Sequence, residues 1–195
     1  MQDFWFYIKL GLDHVLDINA YDHILFSTAL ALPFTFKSWK NVVVLATIFT
    51  ITHCASLAVS SYDLVVIDSG LIEFLIPVTI VMTAILNLLY VKSGSKGNNI
   101  WLHVLATAFF GLIHGFGFSN YFKMLMMEED DILSPLLGFA LGIEVSQVII
   151  VLSILVVSLL VSSLTKAKHP DYVAILSVSI ILLTIPMFIE TFPFA

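Results

Sequence analysis

Six stretches of almost continuous apolar residues constrain this chain more than any other feature. They lie at about 21–36, 41–61, 70–92, 100–119, 133–163 and 171–192. Crossing a hydrocarbon core of about 30 Å takes roughly 20 apolar residues in a helix. Lipid satisfies no backbone polar groups, so runs of this kind must pair their own N–H and C=O groups as α-helices. The breaks between them (37–40, 61–68, 93–99, 121–131 and 165–171) carry Gly, Pro, Ser, Asn, Asp or charge, and none is long enough to be a domain linker. Composition agrees: 59% of the residues are hydrophobic and 11% charged, against about 25% charge in water-soluble domains. The expected fold is all-α, a polytopic membrane helix bundle with six transmembrane helices, forming a single integral-membrane domain over residues 1–195.

A further helix is expected at residues 3–16, interfacial or partly inserted, because Phe4, Trp5, Phe6, Tyr7 and Ile8 are aromatic or apolar and precede the basic Lys9. That order is the reverse of a secretory signal. Six of the eight lysines (Lys37, Lys40, Lys92, Lys96, Lys166 and Lys168) fall in alternate loops on one side. The positive-inside rule assigns that side to the cytoplasm, so both termini are expected outside. Asp63, Asp68, the run Glu128 to Asp131 and Glu190 then lie on the outer side, the run as a solvated loop. With no Arg and a net charge of −6 there is no basic footprint for nucleic acid. The single cysteine, Cys54, has no partner for an internal disulfide.

Ionisable side chains at bilayer depth cost about 2.5 to 3.5 kcal/mol each on insertion scales, so those present mark function. His14 and Asp17 precede the first run, Asp22 and His23 open it, His53 lies past the middle of the second, His114 in the outer part of the fourth, and Glu144 a third of the way into the fifth. In the assigned topology all share the outer half of the membrane. Imidazole nitrogens with carboxylates, and few cations to pair with them, suit a divalent transition metal such as Zn, Ni or Co. The candidate ligands are His14, Asp22, His23, His53, His114 and Glu144. Each has a plainer role open to it: a hydrogen-bonded core histidine, a helix cap at Asp22, or an interhelical pair of Glu144 with Gln147. Asp17, Glu73, Gln147, Asn87 and His103 are candidates for supporting the site or lining a path. The glycines around His114 and before Glu144 permit close helix approach.

These residues resemble a known family. The stretch GLDHVLDINAYDHILF (Gly11 to Phe26) is similar to the first motif of the HupE/UreJ membrane proteins, where a His precedes an Asp-His pair at the head of a membrane helix. FTITHCASLAV, LIEFLIPVTIVMTAILNL, FGLIHGFGFS and GFALGIEVSQV continue the resemblance in order along most of the chain, closest to the second HupE/UreJ subgroup. The resemblance implies a multi-pass protein of the bacterial inner membrane, in a family associated with nickel supply to hydrogenase and urease. It carries over to His14, Asp22, His23 and His114. The nickel permease branch sets its first His closer to the Asp-His pair and has a second His and a Glu in its later motif. Phe110 to Ser119 holds only His114, and Glu144 on the next helix is the candidate to supply that carboxylate.

Two functions fit. One is a permease or facilitator that captures a nickel-, cobalt- or zinc-class ion in the outer half of the bundle and passes it inward by way of Asn87 and His103. The other is a metal-dependent intramembrane hydrolase, since three histidines with an open position also make a catalytic zinc site. The expected partners are the metal ion and the lipid bilayer. The sequence leaves the oligomeric state undetermined.

Overall fold

The computed structural model describes residues 4–65, 67–92, 100–127, 131–165 and 168–192. Lys96, Lys166, Glu128, Glu129 and Asp130 lie outside the described residues. Seven α-helices occur among the described residues: α1 (Phe4–Leu16), α2 (Asp22–Ala31), α3 (Trp39–Ser61), α4 (Ser69–Lys92), α5 (Ile100–Met126), α6 (Leu133–Leu164) and α7 (His169–Thr191). A 3-10 turn, Phe36–Ser38, leads into α3. The last five helices are long and apolar enough to cross a membrane.

The six-span expectation is not confirmed at its first member. The apolar run at 21–36 is helical only for the 10 residues of α2, too short to span by itself. Pro33 is the physical reason, since proline has no N–H to donate to the Ala29 carbonyl four residues back, which accepts from the Asn87 side chain instead, although Leu32 before it keeps helical geometry. On the other side, the carboxylate of Asp17 accepts from the backbone N–H and the side-chain amide of Asn19, at 2.8 and 3.1 Å. That local turn competes with continuation of α1. The chain from Phe4 to Ala31 is thus two short helices with a break at 17–21. Pro77 and Pro186, by contrast, sit inside α4 and α7 without ending them, as neighbouring helices in a bundle allow.

Two glycine pairs decide the packing. A Cβ on Gly111 or Gly115 of α5 would collide with the Phe49 or the His53 carbonyl of α3, so the backbones of the two helices touch there. The pairing advances by one turn on both helices, which makes α3 and α5 parallel. On α6, Gly138 and Gly142 do the same for α1: Gly138 faces Phe4 and Tyr7, and Gly142 faces Ile8, Gly11 and Leu12. These are small-xxx-small contacts, which hold membrane helices by close van der Waals approach in the absence of a hydrophobic drive. They bury Tyr7, Gly11 and Val15 of α1. The N-terminal helix is therefore packed along α6.

Helix sense follows from contacts. His53 meets Phe139 (6.0 Å between rings), and Thr47 and Thr50 meet Glu144, so α6 runs opposite to α3. His23 meets His114, Phe26 meets Phe110 and Phe34 meets His103, so α2 runs opposite to α5. Consequently α1, α2 and α6 run one way and α3 and α5 the other.

Candidate metal site

The break between α1 and α2 delivers three polar side chains to one place. His14 comes from the last turn of α1, and Asp22 and His23 from the first turn of α2. His53 arrives from α3 and His114 from α5, brought together by the glycine contact at Gly115. Ring centres are 4.5 Å apart for His14 and His23, 4.5 Å for His23 and His114, 5.8 Å for His14 and His53, and 6.0 Å for His23 and His53. Donor atoms of His14, His23 and His53 all lie within 4.8 Å of one another, as do those of Asp22, His23 and His114. His23 belongs to both groups.

Asp22 ties the two groups together. Its Oδ1 is 3.2 Å from Nδ1 of His23 and its Oδ2 is 2.9 Å from Nε2 of His114. A carboxylate on one imidazole nitrogen fixes the tautomer and turns the other nitrogen toward a metal. The other nitrogen of His23, Nε2, has no protein partner, nor have Nε2 of His14, Nδ1 of His114 or either nitrogen of His53. His23, His53 and His114 are 1%, 0% and 2% exposed. Each unpaired buried polar atom costs about 1 to 3 kcal/mol, and five on four adjacent rings leave at least one nitrogen of each ring free to ligate. That set fits a transition metal with imidazole preference.

Glu144 is placed differently from the others. Its two oxygens accept from Thr47 and Thr50 of α3, both at 2.6 Å, and it falls in neither donor group. Asp17 is exposed at the α1–α2 break and Glu73 is exposed near the start of α4. Gln147 and Asn87 are buried with Oε1 and Oδ1 unpartnered. The Asn87 amide donates to the Ala29 carbonyl at 2.7 Å. His103 is buried beside Phe34, 5.2 Å between rings. Ser56, Ser119 and Ser146 donate to carbonyls of their own helices.

Sequence reasoning missed the aromatic lining. Phe49 contacts His23, His53 and His114; Phe110 contacts His114; Phe118 and Phe139 contact His14. The available signal was spacing, since Phe49 and Phe110 each precede a histidine by four residues, one helical turn.

The family model described as HupE / UreJ protein matches residues 1–191. The chain belongs to the HupE/UreJ family. No curated protein and no solved structure matches it. The family match covers every helix described above, so the HupE/UreJ chain is a multi-pass membrane protein of a family linked to nickel transport, and it carries histidine and aspartate groups able to hold a metal. The five gathered residues include all four positions at which the first and later HupE/UreJ motifs were matched: His14, Asp22, His23 and His114.

Proposed function

We propose that this HupE/UreJ protein is a permease or facilitator for a divalent transition metal of the nickel, cobalt or zinc class. The observation that carries the reading is a pair of donor groups, His14–His23–His53 and Asp22–His23–His114, that share the buried His23, with five imidazole nitrogens unpartnered. In this reading His14, His23 and His53 ligate the ion, and Asp22 orients His23 and supplies negative charge. His114 stands beside Asp22 as the next ligand. Because His23 is common to both groups, the ion passes between them without leaving its coordination. Release requires ligation that is not too tight, and a path past His114 has further polar groups at Thr107, Asn87 and His103. Those groups favour transport over an intramembrane hydrolase, which would need no onward path.

The same reading treats residues 1–195 as one integral-membrane unit in a bacterial inner membrane, with the lysine-bearing loops inside and both termini outside. The test is direct. Elemental analysis of the purified protein identifies the ion, and proteoliposomes are then challenged with Ni, Co and Zn salts. Flux above that of empty vesicles for one of them is expected. Stoichiometric metal without flux would favour the hydrolase, and no metal at all would overturn the site.

A further inference from the structure

On three helices a phenylalanine stands one turn from a histidine of the cluster. Phe26 follows His23 by three residues on α2, Phe49 precedes His53 by four on α3, and Phe110 precedes His114 by four on α5. Since α2 runs opposite to the parallel pair α3 and α5, all three phenylalanines lie on the same side of the histidines. They also meet. Phe26 stacks on Phe110 with ring centres 3.4 Å apart and planes 8° from parallel. Phe49 is 5.7 Å from Phe26 and 5.6 Å from Phe110. All three are 0% exposed.

Polar groups resume immediately beyond this layer. Thr107 lies three residues past Phe110 on α5, fully buried, with its hydroxyl unpartnered. Asn87 holds the Ala29 carbonyl, three residues past Phe26 on α2, and its Oδ1 is unpartnered. His103 follows beside Phe34. The order along the bundle is thus a histidine and aspartate cluster, then three closed aromatic rings, then buried polar atoms with unused hydrogen-bonding capacity. A core built only for packing has no reason to resume unsatisfied polar atoms behind an aromatic layer, because each is costly.

We propose that Phe26, Phe49 and Phe110 form the hydrophobic constriction that separates the metal cluster from an inner polar position at Thr107 and Asn87. The inference rests on the transport reading above and adds to it the place at which passage is controlled. An apolar ring excludes water and hydrated ions without any charged gate. It also makes the His114 side of the cluster the exit side, since Phe110 lies directly against His114, 3.9 Å between ring centres.

The variant of choice is Phe26, whose ring partners are Phe49 and Phe110. Purified wild type, Phe26→Ala and Phe26→Trp are each measured twice: Ni binding by equilibrium dialysis, and Ni uptake into phosphatidylethanolamine and phosphatidylglycerol vesicles containing a Ni-sensitive dye. With a constriction, Phe26→Ala raises the uptake rate several-fold and Phe26→Trp lowers it several-fold, while both bind Ni like wild type. If Phe26→Ala does not fold, Phe26→Leu replaces it with the same expected direction. Uptake rates that stay unchanged, or that fall in the smaller and larger variants alike, with binding retained, overturn the constriction and make the layer ordinary core. Wild type that binds no Ni in the dialysis arm, and no Co or Zn when the dialysis is repeated with those ions, removes the metal reading and the constriction together.

Discussion

Oδ2 of Asp22 lies 2.9 Å from Nε2 of His114, joining residues 92 positions apart, while Oδ1 of the same carboxylate holds His23 at 3.2 Å. One carboxylate thereby sets the ring orientation of two imidazoles from different helices. An asparagine side chain at this position has the same shape but one oxygen, which cannot accept from both rings. Asp22→Asn is expected to lose about 10- to 100-fold in metal affinity, the usual cost of removing an orienting carboxylate. Equilibrium dialysis with Ni, Co and Zn measures it. Unchanged affinity for all three would remove Asp22 from the site.

His53 is wholly buried with neither ring nitrogen partnered. Leucine at this position would fill similar space without the unsatisfied atoms. His53→Leu is therefore expected to make the metal-free protein more stable, by about 1 to 3 kcal/mol, and to abolish the stabilisation that added metal gives. For wild type that stabilisation is about 2.7 kcal/mol at a free ion concentration about one hundred times Kd. Thermal unfolding in detergent, with and without metal, reads both effects. A metal-free His53→Leu protein less stable than wild type would refute the idea that stability is sacrificed here for binding.

Gly142 allows α1 to lie against α6, and a Cβ there would run into the Ile8 carbonyl and approach Gly11 and Leu12 within 2.9 Å. Since those atoms are backbone, α1 itself must shift. Gly142→Ala is expected to cost about 1 to 3 kcal/mol, typical of overpacking, and to weaken metal binding by carrying His14 away from His23. Unfolding and dialysis on the same sample test the link. A variant with full stability and full affinity would show that α1 has no part in holding His14.

Glu144 accepts two short hydrogen bonds from Thr47 and Thr50. In Glu144→Gln one hydroxyl accepts from the amide N–H₂ and turns its own proton to the carbonyl four residues back (Val43 or Ala46), so both contacts survive without the charge and a loss of no more than about 1 kcal/mol is expected. Metal affinity should be retained, because Glu144 stands in neither donor group. Lost affinity in this variant with the fold intact would return Glu144 to the ligand set.

The membrane-spanning character was legible because it depends on composition over long windows. The runs at 41–61, 70–92, 100–119, 133–163 and 171–192 became α3 to α7, with α5 extending to Met126. The run at 21–36 misled. Its apolarity does not reveal that Asp17, Asn19 and Pro33 confine its helix to Asp22–Ala31. Likewise, aromatic richness at Phe4 to Tyr7 marks a helix but not its partner, which the glycine at position 11 and its neighbours on α6 decide.

For the site, the candidate donors were legible in the sequence, because histidines and carboxylates in an apolar chain are costly at membrane depth and stand out from it. Which of them share a point is a property of three-dimensional packing. Gly115 sets α5 against the His53 backbone, Gly142 sets α1 against α6, and the break at 17–21 brings His14 against His23. None of these distances is encoded in local spacing, since they join α1, α2, α3 and α5. The same packing gave Glu144 to two threonines and closed three phenylalanines beneath the histidines, because a side chain's partners are chosen by the helix that faces it.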